Sequence, residues 1–470
     1  MSGYPGFRIA ARSRGIGFGV ASLACALLSP AFAAPAATDY ARYAGAAPME
    51  TVLAGYRALF TCSAHFHAGR ALDDIERVEL VDTQAFELPP PQIDARRRFV
   101  RAAGPGGETA VAAYRDSMGC TLLPPDWSEA DLASLPYVAY PPVPNRSAQN
   151  FPDGDRVRLR TPASLRPLLR DAFDGATYGD GSVTTAVLIA HRGKLIAERY
   201  APGFGPRSGY RTWSTAKSIT ATLIGIAVGD GLLEVDAPAP IPEWRHPHDP
   251  RAAIRLVDLL QMSSGLESSG SNTNALYFGG AAILPAITTT RLEAPPGTRW
   301  QYANNDTLLL LRALEHVLDD RLAYLRFPYD RLLHKLGMFD TRMETDHAGR
   351  FMGSSQVYTT ARDLMRFGLF YAAKGVWRDE RILPEGWTDF VAQAAPARPR
   401  KAGERGYGAQ FWLLDTMPGV PAGTYTSAGN KGQYVTVVPG ADLVIVRTGV
   451  DPNGKRWAHD RLVAAVAAAL

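Results

Sequence analysis

A serine and a lysine three residues apart stand at the start of an apolar segment. Residues 213–218 read WSTAKS, and small and apolar residues follow at helical spacing to Val228. Three residues along a helix place Ser214 and Lys217 on one face, so the lysine amine could remove the serine proton. That role requires a buried Lys217 whose pKa is lowered by about three units. The pattern alone equally fits a serine that only caps a helix.

A second polar group follows the turn-forming Pro-Pro-Gly of residues 295–297. Residues 301–305 read QYANN. The phenol of Tyr302 could relay the proton of Ser214 to a leaving group, and the amide of Asn304 could hold both Lys217 and the carbonyl side of a substrate. The alternative is a tyrosine that only packs under a loop. For Asn305 and Asp306 we expect the N-cap of a helix over residues 307–318.

A third group lies near the C-terminus, where residues 427–429 read SAG and NKGQY follows. Gly429 would let a strand approach the substrate closely. The backbone N–H of Ser214, at a helix N-terminus, and that of Asn430 would then donate hydrogen bonds to a developing oxyanion. We expect Lys431 to be a solvated turn lysine; the alternative is that its amine reaches back toward the site.

The order of these three groups resembles the serine β-lactamase and penicillin-binding-protein group. The resemblance covers about residues 151–470 and is to the branch with esterases, D-amino-acid peptidases and 6-aminohexanoate-oligomer hydrolases. It implies an acyl-enzyme formed on Ser214, with Lys217 as base and Tyr302 as proton relay. The family carries Lys-Thr-Gly or His-Thr-Gly where this chain has SAG, which puts β-lactamase activity in doubt. The resemblance also includes DLL at 258–260, SSGL at 263–266, YTTARD at 358–363 and FG at 367–368.

The elements that must position these residues follow from hydrophobic periodicity. Strands from both ends of the main domain surround a helical middle, which predicts an α+β fold: an antiparallel sheet flanked by helices, with a helical insert, of the β-lactamase/transpeptidase type. Residues 191–194, HRGK, predict the turn of a hairpin. The predicted strands are 186–189, 195–200, 410–414, 433–438 and 443–448, and the predicted helices are 165–173, 218–228, 256–262, 307–318 and 457–470.

The N-terminus has the pattern of a secretory signal peptide. Three arginines precede the apolar residues 16–28, and AFA at 31–33 supplies a cleavage site, so we expect removal of residues 1–33 and a periplasmic or secreted protein. An uncleaved anchor and a lipoprotein at Cys25 are the alternatives. We expect an N-terminal extension over residues 34–150, helical at 54–66 and extended at 109–114. Its Cys62 and Cys120 would pair in an oxidising compartment, and a loop over 135–155 would link it to the hydrolase domain, residues 151–470.

Composition and the remaining motifs narrow the function further. The 470 residues are 46% hydrophobic and 20% charged, with a net charge of +4 and no basic run, which is typical of a globular protein without a nucleic-acid partner. No later segment is apolar enough for stable membrane insertion. His65-Phe66-His67 and His246-Pro247-His248-Asp249 lack the helical spacing of a zinc enzyme, and no Gly-x-Ser-x-Gly is present.

We therefore expect a serine hydrolase without metal or cofactor that acts on small esters or amides. The alternatives are a β-lactamase or D-amino-acid peptidase and, outside enzymes, a catalytically silent ligand-sensing domain of the same fold.

Overall fold

The computed structural model describes residues 48–81, 83–268 and 276–470, and the predicted signal peptide lies outside them. The described helices are α1 (Met49–Cys62), α2 (Leu72–Ile75), α3 (Glu129–Ser134), α4 (Leu165–Asp171), α5 (Thr215–Gly229), α6 (Leu256–Leu260), α7 (Ile283–Thr288), α8 (Asn304–Leu318), α9 (Arg321–Pro328), α10 (Ala361–Ala372), α11 (Trp387–Val391) and α12 (His459–Ala468). None of these helices is long and apolar enough to cross a membrane.

The described strands form one large sheet and three smaller ones. The strands are β1 (Gln92–Asp94), β2 (Phe99–Ala103), β3 (Thr109–Arg115), β4 (Gly119–Leu122), β5 (Thr184–His191), β6 (Lys194–Tyr200), β7 (Gly209–Arg211), β8 (Arg342–Met343), β9 (Val357–Thr360), β10 (Val376–Trp377), β11 (Glu380–Arg381), β12 (Gly406–Tyr407), β13 (Trp412–Leu413), β14 (Tyr425–Gly429), β15 (Gln433–Val438) and β16 (Leu443–Gly449).

The large sheet is antiparallel, with strand order β12-β13-β14-β15-β16-β5-β6. The predicted hairpin is β5–β6, in which His191 lies opposite Lys194. Strand β16 pairs with β5, so strands from the two ends of the main domain are neighbours in the sheet. The predicted α+β fold, with its helical insert, is confirmed. The strand predicted at 410–414 covers only Trp412–Leu413 in the structure. It is shorter because Gln410 has a φ of 62°, which is not extended, and its side-chain amide donates to the carbonyl oxygens of Leu259 and Leu260.

Alternating side chains of the sheet enter two separate cores. Leu188 and Val446 pack on the side of α5 and α10, whereas Val187 and Ile445 pack on the side of α4 and α12. Burying each such aliphatic side chain contributes roughly 1.5–3 kcal/mol. Helix α10 can lie close to the sheet because Gly368 has no side chain. A Cβ at this position would lie 2.5 Å from the Val444 side chain. A larger residue there would separate the helix from the sheet.

Helix α5 is the centre of the helical insert. Its residues from Thr215 to Ala227 are all buried, and it packs against α8. Helix α8 begins at Asn304 with Ala303 as N-cap, so the predicted N-cap at Asn305 or Asp306 is wrong. The physical reason is that both polar side chains have tertiary partners. Asn305 donates to Thr290 at 2.9 Å, and Asp306 accepts from Ser264 at 2.8 Å.

The described part of the N-terminal extension packs α1 against the antiparallel sheet β1-β2-β3-β4. Cys62, at the end of α1, and Cys120, in β4, are joined as a disulfide with Cα atoms 6.1 Å apart. Residues 135–155 contain no helix or paired strand apart from an isolated bridge at Asn150, as expected of a linking loop. The domain boundary near residue 150 stays a prediction.

Candidate active site

Ser214 and Lys217 lie together at the start of α5. Ser214 is the residue that precedes the first helical turn, and the Lys217 amine donates a hydrogen bond to its Oγ at 3.3 Å. The lysine side chain is inside the protein, with 1% of the residue exposed. The helical spacing predicted from the sequence therefore brings these two groups into contact.

Two further oxygens surround the Lys217 amine. It donates to Asn304 Oδ1 at 2.5 Å, as predicted, and to the carbonyl oxygen of Ser354 at 2.8 Å. Burial lowers the pKa of Lys217 to about 7 because desolvation disfavours the ammonium form. Near neutral pH, about half of the molecules would thus carry a neutral amine that can accept a proton. The role of Ser354 has no sequence signal, because a main-chain carbonyl belongs to every residue.

Tyr302 completes the cluster from the loop before α8. The Lys217 nitrogen is 5.0 Å from the centroid of the Tyr302 ring, and the Tyr302 hydroxyl shares a hydrogen bond with Ser214. Burial raises the pKa of Tyr302 to about 12, and the bond with Ser214 only partly opposes that rise. The ring packs 5.9 Å from Tyr407 and 5.5 Å from Trp412. This aromatic wall, which sequence reasoning missed, fixes the phenol beside the serine.

The loop beneath Tyr302 is held by a buried polar pair. Asp306 is 1% exposed, and burial raises its pKa to about 7, while the bond from Ser264 opposes the rise. Gly265 has a φ of 79°, and a Cβ there would lie 2.0 Å from the Ala294 carbonyl oxygen. Only glycine fits that approach, which gives the SSGL motif a structural role. Through Ser264, the motif holds the first turn of α8, which directly follows the Tyr302 loop.

The end of β14 closely approaches residues 212–214, which lead into α5 and are called the nucleophile loop below because Ser214 is the candidate nucleophile. A Cβ at Gly429 would lie 2.1 Å from the Thr212 carbonyl oxygen and 3.2 Å from the backbone nitrogen of Ser214. The strand can therefore reach this position only with glycine. Its expected close approach to a substrate stays a prediction. Asn430 is the next residue and begins the turn Asn430–Gly432, so the predicted oxyanion donors come from adjoining segments.

Lys431 differs from expectation. It is 7% exposed, with a φ of 54°, and its amine donates to the Val81 carbonyl oxygen of the N-terminal extension at 3.4 Å. The prediction of a solvated turn lysine is wrong because the extension covers this turn. Ser427 is buried, and its hydroxyl has no hydrogen-bond partner among the described residues. Strand β14 itself carries no cation at the third motif.

A buried ion pair supports the same turn from the other side. Arg447 donates to the Gly432 carbonyl oxygen at 2.9 Å and binds both carboxylate oxygens of Asp451 at 2.6 Å. Both partners are nearly excluded from solvent. A bidentate pair of this kind has a fixed geometry, so it limits the movement of the turn that follows β14.

The histidines of the first motif, His65 and His67, contact main-chain carbonyl groups. His65 bonds to the Arg70 carbonyl and His67 to the Asp340 carbonyl, and burial lowers the pKa of His67 to about 3. No group of three or more His, Cys, Asp or Glu side chains is arranged to hold a metal ion within residues 48–81, 83–268 and 276–470.

Residues 169–469 match the Beta-lactamase family model. The chain belongs to this family. It is 24% identical to the 6-aminohexanoate-dimer hydrolase of Paenarthrobacter ureafaciens over 330 residues, which are 64% of this chain and 80% of that protein. The family membership and the curated relative, which is named as a hydrolase, make the chain a β-lactamase-related serine hydrolase.

Solved structures share the fold. A Bacillus anthracis protein described as a 6-aminohexanoate-dimer hydrolase is 21% identical, with a TM-score of 0.52 over 65% of this chain and 81% of that one. EstCE1, a hydrolase with promiscuous acyltransferase activity, is 16% identical, with a TM-score of 0.53 over 65% of this chain and 98% of that one. At these identities the likeness shows the fold alone. In both matches about a third of this chain has no counterpart.

Proposed function

We propose that the chain hydrolyses small esters or amides through an acyl-enzyme formed on Ser214. The observation that carries the proposal is the contact of 3.3 Å between the Ser214 hydroxyl and a buried Lys217 whose pKa is lowered to about 7. A hydroxyl becomes a competent nucleophile only when a base removes its proton, and a neutral amine one helical turn away is such a base.

In the acylation half of the reaction, the neutral Lys217 amine takes the proton of Ser214 while Oγ attacks the carbonyl carbon of the substrate. The carbonyl oxygen becomes negative and accepts hydrogen bonds from the backbone N–H groups of Ser214 and Asn430. The carbon–oxygen or carbon–nitrogen bond then breaks. Tyr302 passes the proton from Lys217 to the leaving group, which departs as an alcohol or amine.

In the second half, water attacks the acyl carbon and gives its proton to the same Lys217–Tyr302 pair. Ser214 recovers its proton as its bond to the acyl group breaks, and the product is a carboxylic acid. Tyr302, whose pKa is raised to about 12, remains a neutral phenol that can both accept and donate a proton at neutral pH. Asn304 orients the amine through their bond of 2.5 Å.

Two observations favour esters and linear amides over β-lactams. The curated relative is named for hydrolysis of a dimer of 6-aminohexanoate, an amino acid whose condensation gives an amide. Ser427 occupies the place of the family's third-motif cation, so β14 lacks the charge that binds a β-lactam carboxylate. A charge-assisted hydrogen bond is worth roughly 1.5–3 kcal/mol, or about one to two orders of magnitude in affinity. β-Lactamase or D-amino-acid peptidase activity is the second candidate.

A fluorophosphonate probe tests the proposal directly. We expect it to label one peptide, containing Ser214, in the full chain, and to leave the Ser214→Ala variant unlabelled. The same preparation would be assayed with p-nitrophenyl butyrate, the 6-aminohexanoate dimer and a chromogenic cephalosporin. Labelling of another residue, or ester turnover that survives in Ser214→Ala, would refute the assignment. Absence of both labelling and turnover would favour the catalytically silent alternative.

The cellular location belongs to the same proposal. The arginines and the apolar stretch before residue 33 support export to the periplasm or the medium, where a disulfide can form. Mass spectrometry of the mature protein from its natural host would show an N-terminus close to residue 34. A retained residue 1 would contradict removal of the segment.

A further inference from the structure

The N-terminal extension lies outside residues 169–469, the part of the chain that matches the family. Its residues nevertheless contact two segments of the proposed catalytic site. One contact is made at the residue before Ser214, and the other at the turn after β14. These are the segments that supply the nucleophile and the proposed oxyanion donors.

The first contact joins α1 to the nucleophile loop. The ring of Phe60, which is 1% exposed, lies 5.4 Å from the ring of Trp213. Trp213 has a φ of 50°, a left-handed conformation that a bulky side chain rarely adopts. Surrounding contacts must therefore hold it. On one side the loop is held by Thr212, whose backbone N–H donates to the Val357 carbonyl at 2.8 Å.

A buried ion pair completes this contact. The Arg211 guanidinium lies 4.1 Å above the Phe60 ring and pairs with Glu344 at 3.2 Å. Glu344 also accepts from the Ser63 hydroxyl at 2.5 Å and from the Cys120 N–H at 3.1 Å. The Phe60 ring and the Ser63 hydroxyl, which accepts from Arg211 at 3.1 Å, thus contact the strand that leads into the nucleophile loop, and the Cys120 N–H binds Glu344, the partner of Arg211. Removing a charge from such a buried pair is strongly unfavourable, so the arrangement has little freedom to shift.

The second contact joins the extension to the turn after β14. The Lys431 amine donates to the Val81 carbonyl oxygen at 3.4 Å and is 7% exposed. Lys431 follows Asn430 directly, so the position of its backbone determines the direction of the adjoining peptide. The extension thus contacts this turn through Lys431, while Arg447 contacts it through the Gly432 carbonyl oxygen.

We propose that Phe60 and Lys431 are positioning residues. Through them the N-terminal extension fixes the nucleophile loop and the turn Asn430–Gly432, called the oxyanion turn, in their catalytic arrangement. The inference rests on the proposed role of Ser214 as nucleophile. It makes the extension contribute to the geometry of the catalytic site, although the family model matches only residues 169–469.

The test uses the full chain with Phe60→Leu and the matched variant Phe66→Leu. Phe66 stacks on Tyr114 at 5.6 Å within the extension, so its replacement removes the same ring without touching the nucleophile loop. Fluorophosphonate titration first gives the concentration of competent sites. Rate constants per titrated site then report on geometry and not on the folded fraction.

We expect Phe60→Leu to lower kcat for p-nitrophenyl butyrate and the phosphonylation rate constant by about 10-fold or more per site, with KM changed by less than about threefold. Phe66→Leu should remain within about twofold of the wild type, as substitutions away from a site usually do. A loss of packing alone would lower the melting temperature of both variants but would not separate their rates per site.

Lys431→Met provides the second measurement, with Lys455→Met, an exposed lysine of a nearby loop, as control. With an uncharged ester we expect Lys431→Met to lower kcat per site by about 3- to 10-fold and Lys455→Met to change it little. This pair decides the question if Phe60→Leu does not fold, because neither lysine belongs to the apolar core. A variant that reacts at the wild-type rate per site removes its residue from the proposal.

The outcomes also separate this inference from the proposed function. A wild type that is labelled on Ser214, with both Phe60→Leu and Lys431→Met at wild-type rates, overturns the inference alone. A wild type that is not labelled on Ser214 overturns the proposed function and this inference with it.

Discussion

Replacing Asn304 by aspartate should move the pH dependence of the reaction in a direction that the structure fixes. The pKa of Lys217 falls from 10.5 to about 7 through desolvation. At 1.36 kcal/mol per unit this depression corresponds to about 5 kcal/mol. It raises the neutral fraction at pH 7 from about 10⁻⁴–10⁻³ to about one half, a gain of about 10³-fold in active base.

The Asn304→Asp variant adds a negative charge without changing the size of the side chain. Its carboxylate would lie at the present Oδ1 position, 2.5 Å from the Lys217 amine. A carboxylate at such a distance favours the ammonium form and raises a pKa by about 1–3 units. The neutral fraction at pH 7 then falls to about 0.1–0.001, so kcat/KM at that pH should decrease by about 5- to 500-fold. Activity should return as pH rises through the new pKa, because the amine must be neutral to act.

The assay is the phosphonylation rate constant from pH 5 to 10, since the probe has no titratable group. We expect the acidic limb of the pH–rate profile, where the rate constant falls with decreasing pH, to lie near the Lys217 pKa of about 7 in the wild type and at higher pH in Asn304→Asp. Asn304→Ala removes the hydrogen-bond acceptor without adding charge, so it should not shift the acidic limb to higher pH. A folded Asn304→Asp protein whose limb stays in place, or moves to lower pH, would show that Lys217 is not the titrating base.

Three other predictions concern the proton relay, the oxyanion turn and the extension. Tyr302→Phe should slow ester turnover by about 10²- to 10⁴-fold with an unchanged melting temperature, because it removes an acid–base step; equal rates would exclude the relay. Arg447→Met leaves Asp451 buried without its partner and should cost about 3–5 kcal/mol in urea unfolding, and a smaller loss would mean that solvent reaches the carboxylate. Denatured protein prepared under oxidising conditions should contain no free thiol, and reduction of the Cys62–Cys120 bond should cost about 2–5 kcal/mol in stability; two titratable thiols would contradict the bridge.

Local geometry explains why much of the site could be predicted from the sequence. Ser214 and Lys217 are close because three residues make almost one helical turn, whatever surrounds them. The hairpin at His191 follows from two strand patterns and a glycine between them. The antiparallel sheet follows from strand patterns at both ends of the main domain, on either side of a helical middle. Each of these conclusions depends on residues that are near in sequence or on a fixed period.

The errors arise where distant contacts override a local pattern. Lys431 sits in a turn sequence that normally faces solvent, yet its amine bonds to Val81, 350 positions away in the chain. Asn305 and Asp306 have the side chains of N-caps, but Thr290 and Ser264 bind them instead. No periodicity in a single sequence reports such pairings. The aromatic wall beside Tyr302 belongs to the same class.

The separation of these contacts bears on how activity and specificity divide in this chain. The proposed nucleophile, base and relay lie at the start of α5 and in the loop before α8, whereas the family's cation for a carboxylate comes from the strand that here is β14. Ser427 supplies no charge on that strand, and the Lys431 amine is directed to the carbonyl of Val81. Acyl transfer does not require the strand cation, because charge develops on the carbonyl oxygen and not on the carboxylate. The chain can therefore retain the reaction of its family while losing the charge that selects β-lactams.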